Sequence, residues 1–391
     1  MQLFLRKTYI LLRKRIPYFP NRKMPKSFKK IWRASLLSSP VFLLAYVITI
    51  TLWKPYFLLK ILVGQKIYKG KLNSTQRKEI LKLVLIDQIH PRYYFLFNFN
   101  QIDAYEKRHH YLYHRSLVHC FQIISRNKSI QYLNDKYQFG QFCQNKNIPI
   151  PKLFALVKKT DIQKKTKENY SELDSFIIKP VTGSKGKGFD RYSFDKLKIN
   201  YYSTQEKNYI SKKNLDAHLK KLAAQYGNLL IQEELVNHIK VAKLSNDALA
   251  TLRILSIRKD HKEIELFNPI LQCPQGDAIL NDLASGGVFY SIDLDTGRLI
   301  QAINQTSSKD EYEKFVLPFW SELKAYVIQL HAALDDVSLV GWDIAITSEG
   351  PKFLEGNLAP WLDIHQLFPN KPFLENSFSQ IFMKNLEDSM K

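Results

Sequence analysis

The sequence predicts an α+β protein preceded by a basic, largely helical region. Three observations carry this reading. Residues 74–145 place apolar side chains at helical spacing, with Ile80, Leu81, Leu83, Val84 and Ile86 on one face. From about residue 147, short apolar runs bounded by Pro, Gly and acids read as strands. These strands mix with helices without regular alternation, which argues against a doubly wound parallel sheet. At 391 residues, two or three domains fit. We expect 1–73 to be a basic, apolar, membrane-associating segment and 74–146 a helical region. Residues 147–391 would form the α+β body, with one lobe over about 147–236 and a second over about 237–391.

Hydrophobic residues make up 45% of the chain and charged residues 24%, a globular composition that excludes wholesale disorder and a polytopic membrane bundle. Cys120, Cys143 and Cys273 are too few and too scattered for a disulfide framework or a four-cysteine zinc site. They read as buried thiols in a reducing compartment. The formal net charge of +22 resembles a nucleic-acid signal until it is located. Of the 58 Lys and Arg residues, 18 fall within residues 1–78, which hold no Asp or Glu; the remainder is nearly balanced. No stacking motif accompanies this charge, so nucleic acid is not an expected partner.

Residues 34–53 run for 20 positions without a charge. As a helix they would rise about 30 Å, the depth of a bilayer core. A signal peptide fits poorly, because the basic region is too long and no small-residue cleavage site follows. A single span meets basic flanks on both sides, so the positive-inside rule gives no orientation. A segment lying in the interface, or dipping in and returning, fits better, with Lys and Arg meeting anionic headgroups. A helical hairpin packed on the body stays open as the alternative.

In the body, Pro149 and Pro151 punctuate a turn before a strand over 153–157. A second strand over 175–180 is stopped by Pro180, and a helix over 215–226 leads into a strand over 229–232. Further strands are expected at 251–258, 263–271 and 288–293, followed by a turn at Asp295, Thr296 and Gly297. Phe319, Leu323, Tyr326, Val327, Leu330 and Leu334 mark an amphipathic helix. Strands over 340–346 and 352–354 pair around Ser348, Glu349 and Gly350. The aromatic stretch 91–97 reads as core packing.

Three constellations carry chemistry. Lys179 ends a strand and a loop with Gly183, Ser184, Lys185, Gly186 and Gly188 follows. Glycines let backbone N–H groups approach phosphate oxygens, and the lysines add positive charge; a flexible surface turn has the same composition. The spacing is not that of a Walker A loop. Next, the apolar strand 229–232 runs into Gln232, Glu233, Glu234 and Leu235. Such a strand end can meet adenine and ribose, or can simply be solvated. Last, Asp343 and the Glu355, Asn357 pair fall on two strands of one hairpin. Side-chain parity lets them point to one side, and two carboxylates with an amide carbonyl suit Mg²⁺ bridging phosphates.

On these residues the chain resembles the ATP-grasp superfamily, in its sugar-transfer associated branch. The resemblance runs over about 135–363. It takes in Asp135, Lys136 and Phe139, the strand ending at Lys179, the glycine loop, and Gln232 to Leu235. It continues through Arg253 to Gly341, Trp342 and Asp343, and then to Glu355, Gly356 and Asn357. It implies an ATP-grasp fold, two α+β lobes with ATP between them. It further implies that Lys136 and Lys179 contact ATP phosphates, with Lys179 and Arg253 catalytic, that residues 183–188 cover the phosphates, and that Gln232 to Leu235 hold adenine and possible ribose contacts. Asp343, Glu355 and Asn357 would bind Mg²⁺. The N-terminal α/β domain of many such ligases is not visible, and the basic helical region stands in its place. Asn281 and Asp282 precede Gly286 in a pattern that departs from the family, and neither is assigned; His238 and His365 read as structural.

The expected function is an ATP- and Mg²⁺-dependent ligase that activates a carboxylate and passes it to an amine or another nucleophile. The acceptor would be a small molecule or a glycan precursor of cell-surface polysaccharide, handled at the cytoplasmic face of an anionic membrane. A non-catalytic nucleotide-binding scaffold and a kinase-like transfer to a sugar are the alternatives.

Overall fold

The computed structural model describes residues 26–40, 43–44, 47, 72–125, 129–183, 186–245, 248–260, 263–274, 287–304, 312, 314–368 and 372–391. Among the described residues, seven α-helices precede the sheets: α1 (Lys26–Leu37), α2 (Ser74–Leu85), α3 (Arg92–Leu96), α4 (Ile102–Glu106), α5 (Val118–Ile124), α6 (Ile130–Asn134) and α7 (Lys136–Asn145). The first sheet is built from β1 (Leu153–Val157), β2 (Ile162–Lys164), β3 (Ser175–Pro180), β4 (Asp190–Asp195), β5 (Asn200–Ser203), β6 (Asn208–Ser211) and β7 (Leu229–Gln232). Its order is β2-β1-β7-β3-β4-β5-β6. The second is built from β8 (Thr251–Arg258), β9 (Ile264–Cys273), β10 (Val288–Ile292), β11 (Leu299–Ile303), β12 (Leu339–Thr347) and β13 (Gly350–Asn357), in the order β11-β10-β9-β8-β12-β13. Neighbouring strands pair antiparallel throughout both. Helices α8 (Leu215–Tyr226), α9 (Ile239–Ser245), α10 (Trp320–Ala332) and α11 (Ser377–Asp388) complete the described elements.

The α+β expectation holds, and its main strands and helices form where apolar periodicity placed them. Strands β2, β4 to β6 and β11 and helices α9 and α11 were not expected. In β4 and β5 the buried side chains are Asp190, Tyr192, Tyr201 and Ser203, set between polar neighbours, so no apolar run marks them. Strand β13 is longer than expected because its backbone stays paired with β12 from Gly350 to Asn357 regardless of side-chain polarity.

The two sheets are covered differently. In the first, Phe176, Ile178, Tyr192, Leu229 and Ile231 pack under Leu219, Leu222 and Ala223 of α8. The opposite face carries only a small cluster of Leu156, Val181 and Leu230. The second sheet is buried on both faces. Leu252, Ile254, Trp342 and Ile344 pack against Phe139 of α7 and Leu323, Val327 and Leu330 of α10. On the other face Leu255, Ile257 and Leu339 meet α1, α5 and α11, while Ile270 and Phe289 meet the aromatic residues 93–113.

Helix α1 docks on the body. Trp32 and Leu36 are buried, and the Trp32 Nε1–H donates to the Ser116 carbonyl at 2.7 Å. Burying each such side chain contributes about 1.5–3 kcal/mol. No helix among the described residues is long and apolar enough to cross a membrane. Residues 41–42, 45–46 and 48–53 of the uncharged stretch lie outside the described residues.

Candidate active site

Strand parity delivers the first functional side chain. Phe176 and Ile178 point under α8, so Ile177 and Lys179 occupy the uncovered face. Lys179 pairs with Leu230 and Ile177 with Gln232, which puts Gln232 on that same face. Burial pushes the Lys179 ammonium down to about 8; Glu355 pulls it up and Lys136 pushes it further down. Gln232 is buried, and its Oε1 has no hydrogen-bond partner among the described residues. A buried acceptor in that state fits a donor on a ligand, such as the exocyclic amine of adenine.

The glycine loop follows Lys179 through Pro180. Gly183, Gly186 and Gly188 have φ of +126°, +65° and +75°. At Gly188 a Cβ would lie 2.8 Å from Pro180 Cγ and 2.9 Å from Tyr226 Cγ, so the turn admits only glycine. Ser184 and Lys185 lie outside the described residues.

Lys136 joins this loop to the second sheet. Asp135 caps α7 by accepting from the Tyr137 and Gln138 N–H groups at 2.9 Å. The Lys136 N–H donates to the Val181 carbonyl at 2.9 Å, fixing the helix start against the strand end. The ammonium then reaches the Gly183 carbonyl at 3.1 Å and Glu355 Oε2 at 3.1 Å.

The acids come together through register. In the β12–β13 hairpin Asp343 lies opposite Glu355 and Gly341 opposite Asn357, while Arg253 of β8 lies opposite Asp343. Arg253 Nη2 is 3.1 Å from Asp343 Oδ2, and the Asn357 amide donates to Glu355 Oε1 at 3.3 Å. Burial pushes the Asp343 carboxyl up, against the pull of Arg253, and Glu355 raises it further. Burial also works against the Glu355 carboxylate, but Lys136, Lys179 and the Asn357 amide hold it below its ordinary range. Two carboxylates this close need cations. Lys136 and Arg253 supply them here, and a hard divalent ion fits the same oxygen donors. Among the described residues no three His, Cys, Asp or Glu side chains converge on a metal position. The candidate donor set is therefore two carboxylates and one amide, which leaves room for phosphates and water around Mg²⁺.

The strand end after Gln232 is more occupied than its sequence implied. Glu233 accepts the Lys152 N–H at 2.8 Å and lies 3.5 Å from Lys352 Nζ, tying β7 to β13. Glu234 pairs with Arg191 Nε at 2.6 Å. Leu235 is half-buried. Arg253 Nε is buried without a hydrogen-bond partner among the described residues. His365 is buried and its Nδ1 meets the Asn268 carbonyl at 2.8 Å, a structural role; the ring of His238 lies edge-on to Phe319 at 5.8 Å. Asn281, Asp282 and Gly286 lie outside the described residues.

Sequence reading named no residue on the far side of this acid group. There Pro360 seats on the backbone of Gly341, where a Cβ would lie 2.5 Å from Pro360 Cβ. The chain then presents Trp361 and the buried Asp363. The available signal was position, since Trp361 follows Asn357 by only four residues.

The fold and this arrangement define a class, a two-sheet α+β enzyme with cationic side chains and an acid pair between the sheets. A family model described as sugar-transfer associated ATP-grasp matches residues 121–381, and the chain belongs to that family. It is an ATP-grasp enzyme. No curated protein matches the chain. Solved structures similar to it include a D-alanine–D-alanine ligase from Helicobacter pylori, at 14% identity and a TM-score of 0.39, covering 66% of this chain and 61% of that one. An L-amino acid ligase from Bacillus licheniformis is 11% identical with a TM-score of 0.34, covering 59% and 41%. The VanG D-Ala:D-Ser ligase from Enterococcus faecalis is 15% identical with a TM-score of 0.37, covering 66% and 62%. The chain thus spans less than two thirds of the length of each.

Proposed function

We propose that the chain is an ATP- and Mg²⁺-dependent ligase that activates a carboxylate as an acyl phosphate and transfers the acyl group to an amine or another nucleophile. The carboxylate oxygen would bond to the γ-phosphorus as ADP leaves; the nucleophile would then bond to the acyl carbon as phosphate leaves. The observation that carries this reading is the position of Lys136. Its ammonium touches both the glycine-loop carbonyl at Gly183 and the Glu355 carboxylate, each at 3.1 Å. Phosphate-binding and metal-binding chemistry therefore meet at one point.

Mg²⁺ bound to ATP would neutralise phosphate charge and orient the terminal phosphoryl group. The protein's own groups do the rest. Lys136 and Lys179 hold phosphate oxygens, and Gly183, Gly186 and Gly188 let the backbone come close. Gln232 offers its unmet acceptor to the base. Arg253, with one face on Asp343, turns its remaining donors toward charge developing on the acyl group. Asp343, Glu355 and Asn357 hold the cation.

The acceptor is read as a glycan precursor of cell-surface polysaccharide, which rests on the family's sugar-transfer association. A membrane-surface location is supported by α1 and the residues after it. Lys26, Lys30 and Arg33 are exposed beside exposed Leu37, Leu43 and Leu44, a basic and apolar face suited to an anionic bilayer surface. Flotation with anionic liposomes tests it: full-length chain should float and a chain beginning at Lys71 should not. For the chemistry, ADP release is screened with amino acids and uronic acid precursors. Turnover should be lost in Lys179→Ala and Glu355→Ala; turnover that survives both substitutions would refute the site.

A further inference from the structure

The sheet face that carries Arg253, Asp343 and Glu355 does not end at the acid pair. Ile270, the cross-strand neighbour of Arg253, belongs to the same apolar cluster as Tyr93, Tyr113 and Ile364, and Trp361 packs on that cluster. The helical region therefore forms a wall beside the reacting end of the candidate active site. Its polar groups are unevenly matched. The Asp363 carboxylate is buried and both oxygens are used: Oδ1 accepts the His114 N–H at 2.9 Å and Oδ2 accepts the Trp361 Nε1–H at 2.7 Å. That fixes the indole plane. Arg92 at the start of α3 holds its guanidinium 5.5 Å from the Trp361 ring centroid and 5.7 Å from that of Tyr93. Among the described residues no carboxylate lies within ion-pair distance of it. Tyr93 and His114 both sense Arg92, Arg115 and Asp363, which places these groups around one spot. Arg92 and Trp361 are both partly exposed, so a ligand can reach them.

We infer that Arg92 and Trp361 form the acceptor subsite, and that they take an acidic sugar. The apolar face of the pyranose would lie on the indole, and its anionic group would meet the guanidinium fork. A carboxylate and a phosphate offer that fork the same pair of oxygens, so uronic acids and sugar phosphates share the recognition chemistry. This subsite rests on the ligase reading for its role but not for its binding. The surplus charge answers the ligand, because the buried Asp363 is spent on holding the loop. Arg92 precedes the family match over 121–381, and Trp361 lies within it.

The test is ligand-detected NMR on the full chain without ATP, using D-glucuronate, glucose 1-phosphate and glucose as probes. At least one of the two anionic sugars should bind, and glucose should bind at least tenfold more weakly. Arg92→Ala should weaken the anionic sugar tenfold or more, with Arg92→Lys recovering part of the loss. Trp361→Ala should remove saturation transfer to the ring protons, and Trp361→Phe should keep it. Melting curves establish that each variant is folded, and the two conservative variants carry the test if an alanine variant is not. Equal binding of glucose, unchanged binding in Arg92→Ala, or no binding of any probe would overturn the subsite. ADP release is measured separately. A chain that binds the sugar without turnover keeps the subsite and loses the ligase reading; turnover without sugar binding keeps the ligase reading and loses the subsite.

Discussion

The second sheet is sealed on both faces, while the first is covered by α8 on one face and nearly bare on the other. In the sealed sheet, several polar groups are answered by protein. Ser256 Oγ receives the Trp342 Nε1–H at 2.7 Å and lies 2.6 Å from His331 Nδ1, and the Asn268 amide donates to the His365 carbonyl at 2.9 Å. On the other face of the first sheet, Gln232 Oε1 is buried without a partner among the described residues, and Lys179 is desolvated with Glu355 as its anionic neighbour. A buried acceptor without a protein partner, as at Gln232, fits a ligand donor or an ordered water. In the sealed sheet, Arg253 Nε, Gln272 Oε1 and Tyr290 Oη are also buried without a hydrogen-bond partner among the described residues, and Lys136 crosses over at the acid pair beside Arg253.

The sharpest way to break this contrast is at the crossing. Glu355→Ala should lower ADP release about 100-fold or more, the range seen when a single charge-stabilising group is lost. The chain should stay folded, because Glu355 is only part-buried and Lys136 keeps its contact with Gly183. Steady-state ADP release together with a melting curve separates the two effects. Core substitutions sharpen the contrast from the stability side. Leu330→Ala, fully buried under the second sheet, should cost about 3 kcal/mol. Val181→Ala in the small cluster of the first should cost about 1 kcal/mol. Urea melts that rank them the other way would contradict the difference in cover.

Acid should act through the sealed sheet. Burial pulls His331 down to about 4 and His365 to about 3, from 6.5 in an open chain. Between those values the unfolded chain binds more protons than the folded one. Their contribution is therefore complete above about pH 6.5 and falls by roughly 1.4 kcal/mol per pH unit for each as pH drops toward 4. Melting temperatures from pH 7.5 to 4.5 test this, and His331→Gln should flatten the slope. The smallest effect belongs to the bare face. Burial pushes Lys179 down to about 8, and bound phosphates would raise it again. Binding of ATP at pH 9 should take up a fraction of a proton and at pH 6.5 none through this group, read by calorimetry in buffers of different ionisation enthalpy.

Much of the body was legible because its strands and helices are apolar on a period. Helix α8 and strands β7 and β12 needed only that pattern, whereas β13 was marked only over 352–354. Parity also placed Asp343, Glu355 and Asn357 on one side of the hairpin, as their pairing shows. Strands β4 to β6 escaped, since tyrosines and buried Asp190 and Ser203 carry their inner positions through hydrogen bonds rather than apolar runs. The commitments of Glu233 to Lys152 and Lys352, and of Glu234 to Arg191, were equally hidden. They depend on which strands become neighbours, and a single carboxylate in sequence does not reveal its partner. Arg92 and Trp361 lie far apart in sequence, and only the folded wall brings them together.

The central claim is that two sheets act on one nucleotide, the first through Lys179 and the second through a cation at Glu355. Calorimetric titration with ATP, with and without Mg²⁺, tests it on the wild type, Lys179→Ala and Glu355→Gln. The account predicts that Mg²⁺ tightens ATP binding in the wild type and still does so in Lys179→Ala, where affinity falls overall. In Glu355→Gln the gain from Mg²⁺ should vanish. An undiminished Mg²⁺ gain in Glu355→Gln, or unchanged ATP affinity in Lys179→Ala, would contradict it.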